Sequence, residues 1–192
     1  MKSLADILFV RTNHVCPWWF CWSFDNVFRK MVHNPYRILS SCIRKGDTVV
    51  DVGCGMGYFS IPMAFMVGQQ GKVVAVDLQK KVLEKLRTRA EKGGVIDRII
   101  TIPASQTSLE VQTKADFVLT FWMVHEVPDR KRFLSEINGL LKKEGKLLIV
   151  EPRIHVSKKS FQETLAIAEQ SGFRKLTSPK IFVSYACLLE KK

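Results

Sequence analysis

The 192-residue sequence predicts a doubly wound α/β fold, a largely parallel sheet with helices on both faces. Three observations predict it. Short valine-rich runs recur and are apolar nearly throughout, as strands buried on both faces require. Stretches of helical period lie between them. Glycines stand where those helices should end, at Gly68, Gly93-Gly94, Gly145 and Gly172, each able to take the left-handed conformation that closes a helix.

Asn34-Pro35 reads as a helix start, with Ile38, Leu39, Cys42 and Ile43 as its apolar stripe, before Lys45-Gly46-Asp47 turns the chain into a first strand. Thr48–Val52, Val73–Asp77, Arg98–Ile102, Phe117–Phe121 and Leu147–Glu151 read as the parallel strands. Phe133, Leu134, Ile137, Leu140 and Leu141 fall on one helix face, and Phe161, Thr164, Leu165 and Ala168 on another. Pro128-Asp129 suits the first turn of the former, where a carboxylate meets the positive end of the helix dipole. Strand alternating with helix at this spacing gives a parallel sheet. Past Gly172 the pattern changes. Phe173–Ser178 and Val183–Glu190 follow each other too closely for an intervening helix, so they should pair antiparallel.

The length suits one domain with a real core. Residues 35–192 form the expected core, and residues 1–34 an appendage to it. No low-complexity tract or internal repeat is visible. No apolar run approaches the roughly 18–20 residues that span a bilayer, and Leu4–Val10 leads to Arg11 rather than to a small-residue cleavage site, so no signal peptide is expected. Cys16, Cys21, Cys42, Cys54 and Cys187 are odd in number and scattered, the usage of reduced thiols and hence of a cytoplasmic protein. The formal net charge of +12 permits a nucleic-acid, anionic-membrane or acidic partner, but the basic residues are spread along presumed outer helix faces and define no single site.

The passage that carries chemistry is Asp51-Val52-Gly53-Cys54-Gly55-Met56-Gly57-Tyr58-Phe59. A glycine-rich turn between a buried strand and a helix lets a ligand approach the backbone. The spacing is GxGxG, and Tyr58 occupies the place where a dinucleotide fingerprint needs its third glycine; no GKS or GKT follows, which excludes a phosphate loop. Asp51, two residues before the first glycine, would repel a pyrophosphate. It suits a ligand bearing an ammonium and a sulfonium, so charge complementarity favours S-adenosylmethionine (SAM). Asp77 ends the second strand, about 20 residues after the loop, where a carboxylate accepts hydrogen bonds from a ribose diol.

DVGCGMGYFS, VVAVD, ADFVLTFWMVHEVPD and LLKKEGKLLIVEP together resemble the successive motifs of class I SAM-dependent methyltransferases, most closely the small-molecule, type 11 branch that includes quinone-biosynthesis C-methyltransferases. The resemblance runs from about Pro35 to the C-terminus. It implies a seven-stranded Rossmann-like sheet with the last strand antiparallel, and SAM as cofactor. It also implies that Gly53, Gly55 and Gly57 line the methionine part of SAM with Asp51 nearby, that Asp77 holds the ribose, and that Phe59 and Leu78 are further cofactor-binding positions. One position departs from the family: an acidic residue often follows the third strand, and here Ser105 or Gln106 must serve the adenine instead. Phe121 and Trp122 fall where the family contacts the cofactor and opens to substrate.

His125 lies just past the fourth strand, at the ligand-binding ends of the strands, and is the candidate general base. Arg153, after the fifth strand, is a candidate for an anionic substrate. His14, Cys16, Cys21 and His33 match no zinc spacing, so no metal is expected. The expected reaction is in-line methyl transfer to a small-molecule acceptor, in which positioning and desolvation supply much of the rate. Two rivals stand beside it. An RNA methyltransferase is supported by the charge alone, without an RNA-binding module or an NPPY-like tetrad; Phe121-Trp122-Met123-Val124 stands in that place. A non-catalytic SAM-binding partner subunit would keep Asp51 and Asp77 but lack a closed acceptor pocket.

Cys16–Phe24 (CPWWFCWSF) places Trp18, Trp19 and Trp22 ahead of the core fold. Such a cluster must pack on something. It either joins the core or covers the crevice beside Phe121 and Trp122 as the acceptor's lid, which implies an apolar or planar acceptor. With a lid, deleting residues 1–24 abolishes methyl transfer but leaves SAM affinity within about tenfold, roughly 1.4 kcal/mol. Unfolding of the truncated protein would instead assign the cluster to the core.

Overall fold

The computed structural model describes residues 32–192. Within them lie α1 (Pro35–Leu39), β1 (Thr48–Val52), α2 (Ser60–Val67), β2 (Lys72–Asp77), α3 (Lys80–Lys92), β3 (Ile99–Pro103), β4 (Ala115–Phe121), α4 (Arg130–Leu140), β5 (Leu141–Pro152), α5 (Lys158–Gln170), β6 (Phe173–Thr177) and β7 (Ser184–Lys191). The strands form one sheet in the order β3-β2-β1-β4-β5-β7-β6. Strands β1 to β5 pair parallel, while β7 runs antiparallel to both β5 and β6. The expected seven-stranded, mostly parallel sheet with its antiparallel tail is the observed one.

Alternation along each strand sorts side chains onto two cores. Val49, Val73, Ala75, Phe117, Leu119 and Leu148 face one side, with Leu39 of α1, Met63 and Val67 of α2, and Leu83 and Leu86 of α3. Val50, Val52, Val74, Val76, Val118 and Ile149 face the other, with Phe133, Leu134 and Ile137 of α4 and Phe161 of α5. Both faces of the central strands are therefore covered, which is why the strands read as continuous apolar runs rather than alternating ones.

Caps set several boundaries. Asn34 Oδ1 accepts the backbone N–H groups of Tyr36 and Arg37 and starts α1. Asp129 accepts from Arg132 N–H at the start of α4, and Ser157 from Ser160 N–H at the start of α5, each meeting a donor that the helix itself leaves unpaired. Two elements differ from the sequence expectation. The first helix stops at Leu39, so Cys42 and Ile43 lie in the turns that follow, with Ile43 still buried. Helix α4 ends at Leu140 and β5 begins at once. Gly145 lies inside that strand and does not close the helix; the left-handed residue is its neighbour Glu144, at φ +61°. Close approach explains this glycine, because a Cβ there would stand 2.9 Å from both Leu141 Cδ2 and the Lys142 carbonyl. The β4–β5 register shifts at the same place.

Strand order reverses between β1 and β4, since the chain runs outward through β2 and β3 and returns through β4 and β5. At such a switch point the loops leaving adjacent strands splay apart and open a crevice at the carboxyl ends. Phe117, fully buried in β4 beside Val49 of β1, packs in the first of the two cores. Truncation to alanine removes a large side chain from a site already packed on both flanks. Phe117→Ala is expected to cost about 3–5 kcal/mol of unfolding free energy, read by denaturant titration.

Candidate active site

The crevice is built from three strand-end loops, and a carboxylate stands at the end of each of β1, β2 and β5. On the β1 side the backbone of the glycine loop continues the strand pairing briefly: Gly53 and Cys54 N–H groups both donate to the Val76 carbonyl, at 2.8 and 3.0 Å. The loop then turns through left-handed conformations at Gly53, Gly55 and Gly57 before α2 begins. These glycines serve different ends. A Cβ on Gly53 would lie 2.9 Å from Met123 Cγ, and one on Gly57 2.8 Å from Leu86 Cγ, so these two admit neighbouring side chains. A Cβ on Gly55 would meet nothing within 4 Å. The space beside Gly55 is open, at the place where a ligand would rest on the backbone.

Asp51 is buried and accepts the Ser60 hydroxyl at 2.5 Å, tying the end of β1 to the first residue of α2 across the loop. Asp77 fastens the loop from the other side. Its Oδ2 accepts Gly55 N–H at 3.0 Å and its Oδ1 accepts Gln79 N–H at 2.9 Å. Burial raises the Asp77 pKa above the ordinary carboxylate value, against the N–H groups of Gln79, Gly55 and Leu78, which favour the charged form. Three N–H donors leave the carboxylate acceptor capacity for a ligand hydroxyl. Cys54, between the glycines, is buried; burial first, then the charges of Asp51 and Asp77, push its thiol well up, so it stays protonated and packs.

The remaining expected ligand positions are dispersed around this loop. Leu78 is exposed next to Asp77. Ser105 and Gln106 are exposed in the loop after β3, where the Ser105 hydroxyl accepts Thr107 N–H and the Gln106 carbonyl accepts from Arg132. Phe59 lies inside the core against Phe121, ring centroids 4.5 Å apart, and supports the loop from beneath.

Past β4 the backbone is strained. Trp122 has φ +62°, a conformation that costs a side-chain-bearing residue roughly 1–2 kcal/mol. It is held by its N–H to the Val150 carbonyl at 2.7 Å and by its indole N–H to Ser184 Oγ at 3.0 Å. The buried His33 ring packs edge-on against both Phe121 and Trp122 and bonds the Phe182 carbonyl through Nε2. The turn at Trp122 sends Met123 over Gly53 and places His125 in a short 3₁₀ segment, Val124–Glu126.

Glu151, buried at the end of β5, takes both groups of that segment: Oε1 accepts Val124 N–H at 2.9 Å and Oε2 meets His125 Nδ1 at 2.6 Å. The pairing Phe121↔Val150 is what brings them together, since it sets the two strand ends side by side. Sequence reasoning found His125 but missed this partner. The signal was present as an acid ending the strand that should neighbour the fourth. Met123 was missed too, because its role depends on the backbone reversal at Trp122. Arg153 is exposed; its Nε donates to the Ser184 carbonyl and its guanidinium lies 5.0 Å from the Tyr185 ring centroid. Trp18, Trp19 and Trp22 lie outside the described residues. Among the described residues, no three His, Cys, Asp or Glu side chains cluster as a metal site, and no helix is long and apolar enough to cross a membrane.

The sequence profile of the family described as "Methyltransferase domain" matches residues 43–180. The chain is 25% identical over 144 residues to the probable cobalt-precorrin-6B C(15)-methyltransferase (decarboxylating) of Saccharolobus solfataricus, covering 74% of this chain and 69% of that one. It is 30% identical over 115 residues to the ubiquinone/menaquinone biosynthesis C-methyltransferase UbiE of Francisella tularensis subsp. novicida, covering 59% of this chain and 46% of that protein. It thus spans about half the length of the quinone methyltransferase it matches. A solved SAM-dependent methyltransferase from Aquifex aeolicus shares the fold, with TM-score 0.82 at 21% identity over 93% of this chain and all of that one. With the glycine loop and the strand-end acids in place, the chain belongs to the class I SAM-dependent methyltransferases, and its cofactor is SAM.

The open space beside Gly55 and the loop-facing carboxylate of Asp77 fit that cofactor. Gly55→Ala should therefore separate binding from folding. The left-handed backbone costs alanine about 1–2 kcal/mol of stability, but its methyl group projects into the ligand's space. Calorimetry is expected to show SAM affinity falling at least tenfold, with the fold retained by circular dichroism.

Proposed function

We propose that this protein transfers a methyl group from SAM to an apolar small-molecule acceptor. The observation that carries the proposal is the Asp77 carboxylate, fixed by two backbone N–H groups at the lip of the glycine loop. Bound SAM supplies an activated methyl group on a positively charged sulfur. Around it the chain's residues have separable tasks. Gly53, Gly55 and Gly57 shape the loop against which the methionine part rests. Asp51 holds the loop to α2 and adds negative charge near the ammonium and sulfonium. Asp77 accepts the ribose hydroxyls, Leu78 covers the sugar, and the Ser105–Gln106 loop serves the adenine edge.

Trp122 stands at the acceptor side of the crevice with Phe121 buried beside it, and His125 takes a proton there. An apolar acceptor is supported by the aromatic group at this rim and by Ile154, Phe182 and Val183, exposed just beyond it. Arg153 stands at the same edge for a polar or anionic substituent. The lid expected of residues 1–24, with Trp18, Trp19 and Trp22, falls outside the described residues. The names of the quinone and precorrin relatives support a small molecule over RNA, although the charge of +12 keeps an RNA test worthwhile. Binding to RNA that weakens steeply with salt would favour the nucleic-acid reading.

The cofactor assignment is tested at Asp77. Asp77→Ala removes charge-assisted hydrogen bonds and is expected to weaken SAM binding by about 1.5–3 kcal/mol in calorimetry. NAD should not bind comparably. Tight NAD binding, or SAM affinity untouched by Asp77→Ala, would count against it.

A further inference from the structure

Glu151 is buried on this rim with both carboxylate oxygens engaged. Side-chain exposure is 2% for Glu151 and 24% for His125, so one partner is sealed and the other opens to the crevice. A buried carboxylate is costly unless each oxygen is hydrogen-bonded. Here Oε1 accepts the Val124 N–H and Oε2 is left for the imidazole 2.6 Å away. An ionised carboxylate only accepts, so Nδ1 must carry the hydrogen of that bond. Neutral His125 is therefore held as the Nδ1–H tautomer, and Nε2 becomes the nitrogen with a lone pair.

Resting on the methyl-transfer reading above, we infer that Glu151 is a positioning residue that fixes this tautomer so that Nε2 of His125 removes a proton from the methyl acceptor. The acceptor class follows. Its attacking atom carries a hydrogen at neutral pH, as a hydroxyl or amide-like N–H does, and is not a ready-made anion such as a thiolate. The attacking atom keeps the electron pair of its bond to hydrogen and uses it to bond the methyl carbon, while the carbon–sulfur pair stays on sulfur as the cation becomes a neutral thioether. The proton passes to Nε2, and the imidazolium is held by Glu151 until solvent takes it.

The groups facing His125 agree with this role. Glu151 comes from β5, Glu126 from its own segment with Oε1 4.0 Å from Nε2, and Arg130 from α4; His155 stacks on the ring at 6.2 Å between centroids. Burial works against the imidazolium, but the hydrogen bond and charge of Glu151, with Glu126, outweigh it and the opposing Arg130, so the pKa lies above the ordinary imidazole value of 6.5. Turnover should then fall as pH drops through that raised value.

The test uses the full chain labelled with ¹⁵N, titrated by NMR with and without SAM, beside transfer of labelled methyl from SAM into a small-molecule extract across pH. Wild type is expected to show the Nδ1–H tautomer and a raised His125 titration. Glu151→Gln should move that titration, and the acid limb of turnover, to lower pH. His125→Gln should lower turnover roughly a hundredfold or more with SAM affinity unchanged. An Nε2–H tautomer in the wild type, which needs no variant to observe, overturns the inference. So does a His125 titration that Glu151→Gln leaves in place. Failure of the wild type to bind SAM would sink the methyl-transfer reading itself. Binding of SAM without label transfer would remove that reading too, while the NMR result still decides the dyad.

Discussion

Parallel strands that end together leave their last backbone groups without strand partners, and this chain satisfies them with acids placed at the strand ends. Asp77 takes the N–H groups of Gly55 and Gln79, Glu151 takes that of Val124, and Asp51 takes the hydroxyl that opens α2. These three side chains add to the backbone bonds that Gly53, Cys54 and Trp122 make to the neighbouring strands. The same negative charges, gathered on one rim, suit a cationic ligand far better than a phosphate. Structural need and ligand preference are met by the same atoms. That overlap explains why neither Asp51 nor Asp77 can be read as purely one or the other.

Much of this was legible in the residues. Valine-rich runs bounded by glycine identify β1 and β2 because both faces of a central parallel strand are covered, and Val49 and Val50 pack into opposite cores. The antiparallel tail is legible because no helix fits between Phe173–Thr177 and Ser184–Lys191. Helix ends were less so. Gly145 carries the same letter as the closing glycines Gly68 and Gly172, yet it is required by the Leu141 side chain and not by its own dihedrals. Tertiary proximity decided the point, and a local signal cannot report it.

The site divides in the same way. The half marked by the glycine motif rests on one contiguous loop plus one strand end, so spacing alone exposes it. The other half rests on a register: Glu151 meets His125 only because β5 lies beside β4 with Val150 against Phe121. Trp122 adds a conformation that no residue preference announces, a bulky side chain with positive φ. Its strain is offset by a bond to a strand that follows some sixty residues later. Long-range pairing is what converts scattered letters into a functional edge.

The position of β7 has a consequence for how the molecule is made. Strand β5 pairs with β4 on one side, but its other edge is filled by β7, which emerges only after α5 and β6. During synthesis a twelve-residue strand thus waits with one row of backbone groups unpaired, the condition that invites other chains to add to it. The partners of Trp122 and His33, Ser184 and Phe182, emerge with that late segment. The glycine loop and Asp77 can be assembled while the edge that holds Trp122 is still unfinished. A nascent chain halted before β7 would be primed to aggregate through β5, and the last strand to arrive acts as the protein's own edge guard.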